Sequence, residues 1–298
     1  MTDAAFPGFT NSRVAANGIR LSMLRGGAGA PVILLHGYPQ NALCWRHIAP
    51  RLAESHDVIV PDLRGYGQSD APPDDAAHTA YSKREMARDI AGLMDALGLR
   101  RAAIIGHDRG ARVAYRFALD HPDRLDRLGI LEIVPTADFW AAWNAELAMK
   151  AYHWTFLAQP APLPERMIGA DPAAYLDWTL ANWTATRSLA PFEGAALESY
   201  RAQMADPARC AAMCADYRAG ATTDRRIDEA DRAAGRRIGV PLHYIWAESG
   251  FPAQTGNPLG LWRGWAPAVT GESVAGCGHF MMEEAPGAVL AALRPLLA

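Results

Sequence analysis

The chemistry that this chain could perform is most visible around Asp108, at the centre of the sequence GHDRG, residues 106–110. An apolar run precedes this sequence and a pattern typical of a helix follows it, as in a nucleophile elbow, where a tight turn lifts one side chain above a sheet. A carboxylate at that point can attack saturated carbon and form an ester. The alternative is that Asp108 only caps the following helix.

An ester on Asp108 must be cleaved by water, and that step needs a base. His279 lies in GCGHF, residues 276–280, after the last predicted strand and before the final helix. A histidine after the nucleophile in the chain, flanked by glycine, is typical of hydrolases with a nucleophile elbow. We therefore predict that His279 activates the water.

Two arginines follow the predicted nucleophile. Arg109 is adjacent to it, and Arg112 comes three residues later, about one helical turn on. Guanidinium groups beside an attacking carboxylate offset its repulsion of a substrate that carries a carboxylate of its own, and a bidentate grip would orient that substrate. The alternatives are a loop cation for Arg109 and a surface position, paired with an acid, for Arg112.

The elements that must position these residues alternate in type along the chain, and this alternation predicts a mostly parallel sheet covered by helices. Strands are predicted at residues 20–24, 32–35, 58–60, 102–105, 128–133, 242–246 and 272–274, and helices at 82–97, 111–120 and 288–297. In open α/β sheets the chemistry lies at the carboxyl ends of the strands. Several strands end there in polar motifs, among them HGYP and PDLRGYG.

Residues 135–237, which we call the insertion, break this rhythm. They are rich in tryptophan, tyrosine, alanine and proline, and they contain helical patches without strand candidates. We predict that the insertion is a helical cap on an α/β core formed by residues 1–134 and 238–298.

The composition fits a globular enzyme without a nucleic-acid partner, since the 298 residues carry a net charge of only -3. The first residues, MTDAAFPGFT, lack the features of a signal peptide, and no apolar stretch is long enough to span a membrane. The four cysteines are scattered, which predicts free thiols and no metal site. Cytoplasmic location is the resulting expectation.

Longer motifs carry a resemblance to a known family. The sequence resembles the α/β-hydrolase superfamily over nearly its whole length and, within it, the fluoroacetate (haloacetate) dehalogenases. The matching stretches are HGYPQ, DLRGYGQSD, GHDRGARVAYR, YHWTFLAQPAPLPE, DYRAGA and GHFMMEEAP. The resemblance implies an α/β-hydrolase fold: a mostly parallel eight-stranded sheet flanked by helices, with an inserted helical cap.

The resemblance also implies roles for further residues. The halide would be held by donors from His153, Trp154 and Tyr217, and the backbone N–H of Tyr38 would donate to the bound anion. The residue that orients His279 is an aspartate in the family, whereas this chain has Glu132. Glu248 is a rival for that role, and Asp126 and Asp138 are weaker ones that we expect to be solvated.

The implied reaction is hydrolytic dehalogenation. Asp108 would displace halide from a haloacetate such as fluoroacetate or chloroacetate, and water activated by His279 would hydrolyse the ester to glycolate. No metal or organic cofactor is expected, and the family implies a homodimer. Two alternatives remain: an epoxide hydrolase with phenols from Tyr152 and Tyr217, and a non-catalytic protein that binds small carboxylates.

Overall fold

The strands of this protein form one mixed sheet. The structure, a computed structural model, describes residues 5–192 and 194–298. Its strands are β1 (Thr10–Ala16), β2 (Ile19–Gly26), β3 (Ala30–Leu35), β4 (His56–Pro61), β5 (Ala102–His107), β6 (Leu125–Leu131), β7 (Leu242–Ala247) and β8 (Val269–Val274). Their order across the sheet is β1-β2-β4-β3-β5-β6-β7-β8. Strand β2 is antiparallel to both of its neighbours, and all other pairs are parallel. The predicted eight-stranded, mostly parallel sheet is confirmed.

Fourteen α-helices accompany the sheet in the described residues. They are α1 (Ala49–Leu52), α2 (Lys83–Ala96), α3 (Asp108–Asp120), α4 (Thr136–Ala141), α5 (Ala145–Lys150), α6 (His153–Leu157), α7 (Leu163–Ala170), α8 (Pro172–Trp183), α9 (Gly194–Ala205), α10 (Pro207–Ala221), α11 (Thr223–Ala233), α12 (Pro258–Arg263), α13 (Met281–Glu284) and α14 (Pro286–Leu297). The helices predicted at 82–97, 111–120 and 288–297 correspond to α2, α3 and α14.

The pattern of apolar residues missed strand β1. Its sequence, TNSRVAA, is largely polar, because β1 is an edge strand that is mostly exposed or half-buried. A different signal marked it: Asn17 and Gly18, which join β1 to β2, have φ values of 48° and 78°. An Asn-Gly pair with positive φ is the favoured two-residue hairpin turn.

Strand β5, which leads to Asp108, lies near the middle of the sheet and is buried along its entire length. Helices α2 and α3 pack together against one face of the sheet, and their apolar side chains join the same core as Ile104. A turn anchored on both sides by buried elements has little freedom to move, which suits a nucleophile that must keep its direction.

The insertion lies between β6 and β7, and its described part contains eight helices, α4 to α11, and no strand. Buried ion pairs connect it to the rest of the chain. Arg116 of α3 binds Asp228 of α11 at 2.8 Å and Asp231 at 2.5 Å, and Lys83 of α2 binds Asp216 of α10. The division into a core and a cap at residues 135 and 237 stays a prediction.

All four cysteines are buried and unpaired. None of the helices in the described ranges combines the length and the apolar character that crossing a bilayer would require.

Candidate active site

Five neighbouring elements bring four predicted residues and Phe251 to one edge of the sheet. Tyr38 follows β3, Asp108 follows β5, Glu132 follows β6, Phe251 follows β7 and His279 follows β8. Because β3, β5, β6, β7 and β8 are adjacent and parallel, their carboxyl ends meet at the same place. The sheet order thus gathers residues that are up to 241 positions apart in the chain (279 − 38).

Asp108 occupies a strained turn. Its φ of 47° lies in the left-handed region, which a residue other than glycine rarely adopts. The glycines of GHDRG are needed for close approach, because a Cβ on Gly106 would overlap the backbone of α3 and one on Gly110 would overlap that of His36. These contacts agree with a nucleophile elbow.

The Asp108 carboxylate points away from its own helix. Its Oδ1 accepts a hydrogen bond of 2.9 Å from the backbone N–H of Tyr38, and the described residues contain no bond from this carboxylate to the first turn of α3. The helix-cap alternative therefore finds no support. The Tyr38 N–H lies where the resemblance places an anion donor.

Charges around Asp108 keep it ionised. Burial alone would raise its pKa, but electrostatic interactions with His279, His107 and the two nearby arginines outweigh burial and lower the pKa below its usual value. A carboxylate that stays anionic in a buried site is suited to nucleophilic attack.

His279 lies between two carboxylates without a hydrogen bond to either. Its Nε2 is 3.9 Å from Asp108 Oδ2, and its Nδ1 is 3.9 Å from Glu132 Oε1. Neither ring nitrogen has a hydrogen-bond partner among the described residues. Burial lowers the pKa of His279 to about 4, so the imidazole is neutral at physiological pH and can accept a proton.

The loop of His279 is fixed by the Glu284 carboxylate. It accepts backbone N–H groups from Gly278 at 3.0 Å and Phe280 at 3.1 Å, and a third from Ala185 of the insertion at 2.8 Å. The base is therefore held on both sides by a residue that the sequence analysis did not identify.

Glu132 occupies a second turn with positive φ, at 60°. Its carboxylate accepts the N–H of Ala247 at 2.7 Å and that of Phe251 at 3.1 Å, and a Cβ on Gly250 would overlap it. Burial raises its pKa to about 8, although the two N–H bonds oppose that rise. The longer side chain of glutamate, compared with the aspartate of the resembled family, is accommodated by the empty space at Gly250.

The rival acids lie in unsuitable places. Glu248 is exposed and accepts a long hydrogen bond from Ser273 Oγ, at 3.4 Å, and Asp126 is exposed and paired with Arg101. The expectation that Asp138 is solvated is wrong, because Asp138 is buried. Its carboxylate accepts hydrogen bonds from Arg232 and from Trp265 Nε1. The geometry favours Glu132 as the partner of His279, and that role stays a prediction.

Arg112 is buried, which contradicts the surface alternative. Its Nη1 donates to Val134 O at 3.1 Å and to Thr136 Oγ1 at 2.9 Å, while Nε has no partner, and its guanidinium lies 4.5 Å from the centre of the Trp154 ring. Burial lowers its pKa. No carboxylate pairs with it in the described residues, so this cation is available for an anionic ligand.

Arg109 is also buried, but most of its donors are used. Nε donates to Asp216 Oδ2 at 3.1 Å, and Nη2 donates to Asp216 Oδ1 at 2.5 Å. Only Nη1 lacks a partner in the described part of the chain. Asp216 therefore occupies one side of this guanidinium, and the role of Arg109 in binding a substrate carboxylate stays a prediction.

The three predicted halide donors lie close together. The ring centres of His153 and Tyr217 are 5.5 Å apart, and those of Trp154 and Tyr217 are 5.8 Å apart. The Tyr217 hydroxyl and His153 Nδ1 are buried without a described partner. Burial raises the pKa of Tyr217 and lowers that of His153, so both are neutral and the hydroxyl remains a donor. Their halide role stays a prediction.

A small cavity connects these parts. Its free volume is about 10 Å³, close to the space of one water. Its lining includes Asp108, Arg112, Glu132, Phe139, His153, Trp154, Phe251 and His279. Arg109 and Tyr217 lie behind this lining, in contact with Trp154.

An open depression of about 680 Å³ adjoins the cavity and shares Phe251 and His279 with it. Trp183, Lys150 and Arg187 also line it. The rings of Trp183 and Phe251 are 5.3 Å apart beside His279, and neither residue belongs to a sequence motif that would have predicted this position. A separate groove of about 490 Å³, beside β2 and α9, contains none of the predicted site residues.

No group of three or more metal-ligating side chains occurs within residues 5–192 and 194–298. The expectation that no cofactor is needed stays a prediction.

Comparisons with known proteins agree on the fold and differ on the reaction. The profile described as alpha/beta hydrolase fold matches residues 30–286. A fluoroacetate dehalogenase from Burkholderia sp. is 38% identical over 294 residues, which cover 98% of this chain and 95% of that protein. A soluble epoxide hydrolase from Corynebacterium sp. (strain C12) is 32% identical, with 94% of each chain covered. A solved structure of a candidate epoxide hydrolase from Pseudomonas aeruginosa has a TM-score of 0.91 and 47% identity, and the match covers 98% of this chain and 96% of that one.

Proposed function

The chain belongs to the alpha/beta hydrolase fold family, and from that premise we propose that it is a hydrolytic dehalogenase of haloacetates. One observation carries this proposal: a buried carboxylate nucleophile, Asp108, lies beside Arg112, a buried guanidinium that forms no ion pair with a described carboxylate. When Asp108 becomes an ester it loses its charge, and a buried cation without an anion is costly unless a ligand supplies the missing charge. A substrate carboxylate would do so.

The first half of the reaction is a displacement. Oδ2 of Asp108, the oxygen that does not accept the Tyr38 N–H, attacks the carbon that bears the halogen. The new carbon–oxygen bond forms as the carbon–halogen bond breaks, and its electron pair leaves with the halide. His153, Trp154 and Tyr217 donate to the departing halide, where each preorganised donor contributes about 10²–10³ in rate.

The second half is hydrolysis of the glycolyl ester. Neutral His279 accepts a proton from water, and the resulting hydroxide attacks the ester carbonyl of Asp108. The Tyr38 N–H stabilises the negative oxygen that forms at Oδ1. The carboxylate form of Glu132 stabilises the imidazolium. Collapse of the intermediate breaks the bond between the carboxyl carbon of Asp108 and Oδ2, and the glycolate oxygen takes the proton from His279.

A direct test measures chloride release from chloroacetate and, with a fluoride electrode, fluoride release from fluoroacetate. A single turnover in isotope-labelled water then traces the oxygen. We expect the label in Asp108 and unlabelled glycolate in that first turnover, because the transferred oxygen comes from the side chain. Label in the first glycolate would refute the covalent route.

Epoxide hydrolysis is the second candidate, and the buried, unpartnered Tyr217 hydroxyl favours it, since a phenol could donate to an epoxide oxygen. Neither Tyr217 nor Tyr152 is part of the cavity lining, and a neutral epoxide would give Arg112 no carboxylate to bind. Turnover of styrene oxide without halide release from any haloacetate would select this candidate. Binding of glycolate without turnover of either substrate would select the non-catalytic alternative.

The homodimer implied by the resemblance and the cytoplasmic location expected from the sequence are also proposals. Gel filtration with light scattering tests the first of them.

A further inference from the structure

The contacts of Arg109 point to a residue that the reaction scheme above does not use. Asp216 of α10 is fully buried, and its carboxylate receives four donors. They are Arg109 Nε at 3.1 Å, Arg109 Nη2 at 2.5 Å, the Tyr66 hydroxyl at 2.9 Å and Lys83 Nζ. The backbone oxygen of Asp216 accepts a further bond from Arg109 Nη2 at 2.8 Å.

These contacts leave Arg109 one orientation. Its guanidinium packs on Tyr217, 4.3 Å from the ring centre, and a Cβ on Gly220 would come within 3.0 Å of Nη2. Rotation would break a charge-assisted pair of hydrogen bonds inside a buried site, where such pairs are strongest. Arg109 can therefore offer a ligand only Nη1, the nitrogen without a described partner.

We propose that Asp216 is a positioning residue: it holds Arg109 by Nε and Nη2, so that a substrate carboxylate is bridged by Nη1 of Arg109 and Nε of Arg112. This inference rests on the proposed function. Arg109 gives one donor instead of a fork, and the ring of Trp154 lies against both guanidiniums. Such a bridge fits a compact carboxylate with a single attached carbon.

Removing Asp216 changes both the charge near the site and the orientation of Arg109, and these two changes should affect carboxylate binding in opposite directions. The inference can therefore be tested. Removing the anionic Asp216 raises the positive potential near the site, and this change by itself would strengthen carboxylate binding. Losing the anchor of Arg109 would weaken it. Two double variants separate these effects, because each removes one positive and one negative charge from the same cluster.

The test variant is Lys83→Met/Asp216→Asn, and the matched control is Lys83→Met/Asp224→Asn. Asp224 matches Asp216 because it is also buried and also contacts Lys83. Its Oδ1 accepts the backbone N–H of Lys83 at 2.8 Å, and its Oδ2 lies 3.6 Å from Lys83 Nζ. No contact joins Asp224 to Arg109 in the described residues. The measurements are the Kd of glycolate by calorimetry, and KM and kcat for chloroacetate.

We expect the Asp216 double variant to bind glycolate about ten- to a hundred-fold more weakly, the range of a lost hydrogen bond to a charged group. Its KM should rise by a similar factor with kcat changed less, and the control should stay within about three-fold of the parent. If Asp216 had only a structural role, both variants should have a lower melting temperature and a smaller active fraction, without a selective rise in KM for the Asp216 variant. Tighter binding in the Asp216 variant, or equal losses in both variants, would overturn the inference.

Asp216→Glu decides the matter if the double variant does not fold. This variant retains the negative charge at residue 216 and the positive charge of Lys83, but its carboxylate is one methylene further from the backbone. We therefore expect weaker glycolate binding. Unchanged binding would contradict the inference. Failure of the proposed function gives a different result: a parent protein that binds glycolate but releases no halide. A parent protein that binds no glycolate refutes the bridge itself.

Discussion

Asp108 and His279 face each other across the candidate active site, and the structure holds them differently. Asp108 is fixed by a strained turn and by the Tyr38 N–H at 2.9 Å. His279 lies 3.9 Å from each of its two carboxylates and makes no side-chain hydrogen bond to a described residue. The nucleophile Asp108 is thus already held in place without a ligand, whereas the base His279 has yet to form its hydrogen bonds.

This difference indicates that the two chemical steps respond to separate changes. Variants on the Asp108 side should abolish halide release, and variants on the His279 side should leave the first halide and block the second turnover.

Asp108→Asn should remove both steps. A neutral amide is a poor nucleophile and cannot form the ester, so we expect chloride release from chloroacetate to fall by about 10⁴-fold or more. Chloride assays measure the loss, and mass spectrometry should find no adduct on the peptide that contains residue 108. Substantial release by this variant would contradict the assignment of the nucleophile.

His279→Gln should separate the steps. Asp108 is still ionised and can be alkylated, while no base activates the water, so we expect about one halide per active site and then about a 10³-fold slower rate. The stalled protein should carry a glycolyl group on Asp108. If the variant loses the initial halide release as well, the two halves of the site are not independent.

The pH dependence should report His279 and Glu132 in turn. Hydrolysis requires neutral His279, whose pKa burial lowers to about 4, so the ester should accumulate below that pH while Asp108 still reacts. Burial raises the pKa of Glu132 to about 8, so hydrolysis should accelerate again as pH rises through about 8 and the carboxylate forms. Glu132→Gln should remove the upper step, at a cost of about ten-fold near neutral pH and more at alkaline pH. A profile with the upper step intact in this variant would assign that step to another group.

Gly250→Ala should give the smallest effect. The added methyl group overlaps the Glu132 carboxylate, so we expect the ester hydrolysis rate to fall about three- to ten-fold, with the halide burst unchanged. Gly239→Ala is the matched control, because a Cβ there meets nothing within 4 Å. Equal rates in both variants would show that Glu132 does not depend on the space at residue 250.

The sequence could predict those parts of the site that short motifs encode. The glycines around Asp108 and His279 mark turns by local sterics, and the alternation of strands and helices implies that the carboxyl ends of the strands meet. The contact between Arg109 and Asp216 joins residues 107 positions apart and depends on how the insertion packs, which no local pattern describes. Asp138 was placed in solvent for the same reason, since its burial depends on Arg232 and Trp265.

The sequence predicted the position of Glu132 but not its surroundings. The resemblance identified the position, but the sequence did not reveal its φ of 60°, the two backbone N–H groups that it accepts or the clearance at Gly250. These features decide whether the longer acid can serve His279, and they arise from the backbone of the loop after β7.

The ion pairs of Arg116 with Asp228 and Asp231, and of Lys83 with Asp216, have a consequence for how molecules reach the interior. Moving the insertion away as one unit would break all of these ion pairs at once, and water would then have to solvate every charge in them. Turning the rings of Trp183 and Phe251, which line the open depression beside the cavity, would be a smaller change. An entrance that opens only by ring rotation would exclude large molecules by their size, independently of whether their functional groups could react with Asp108.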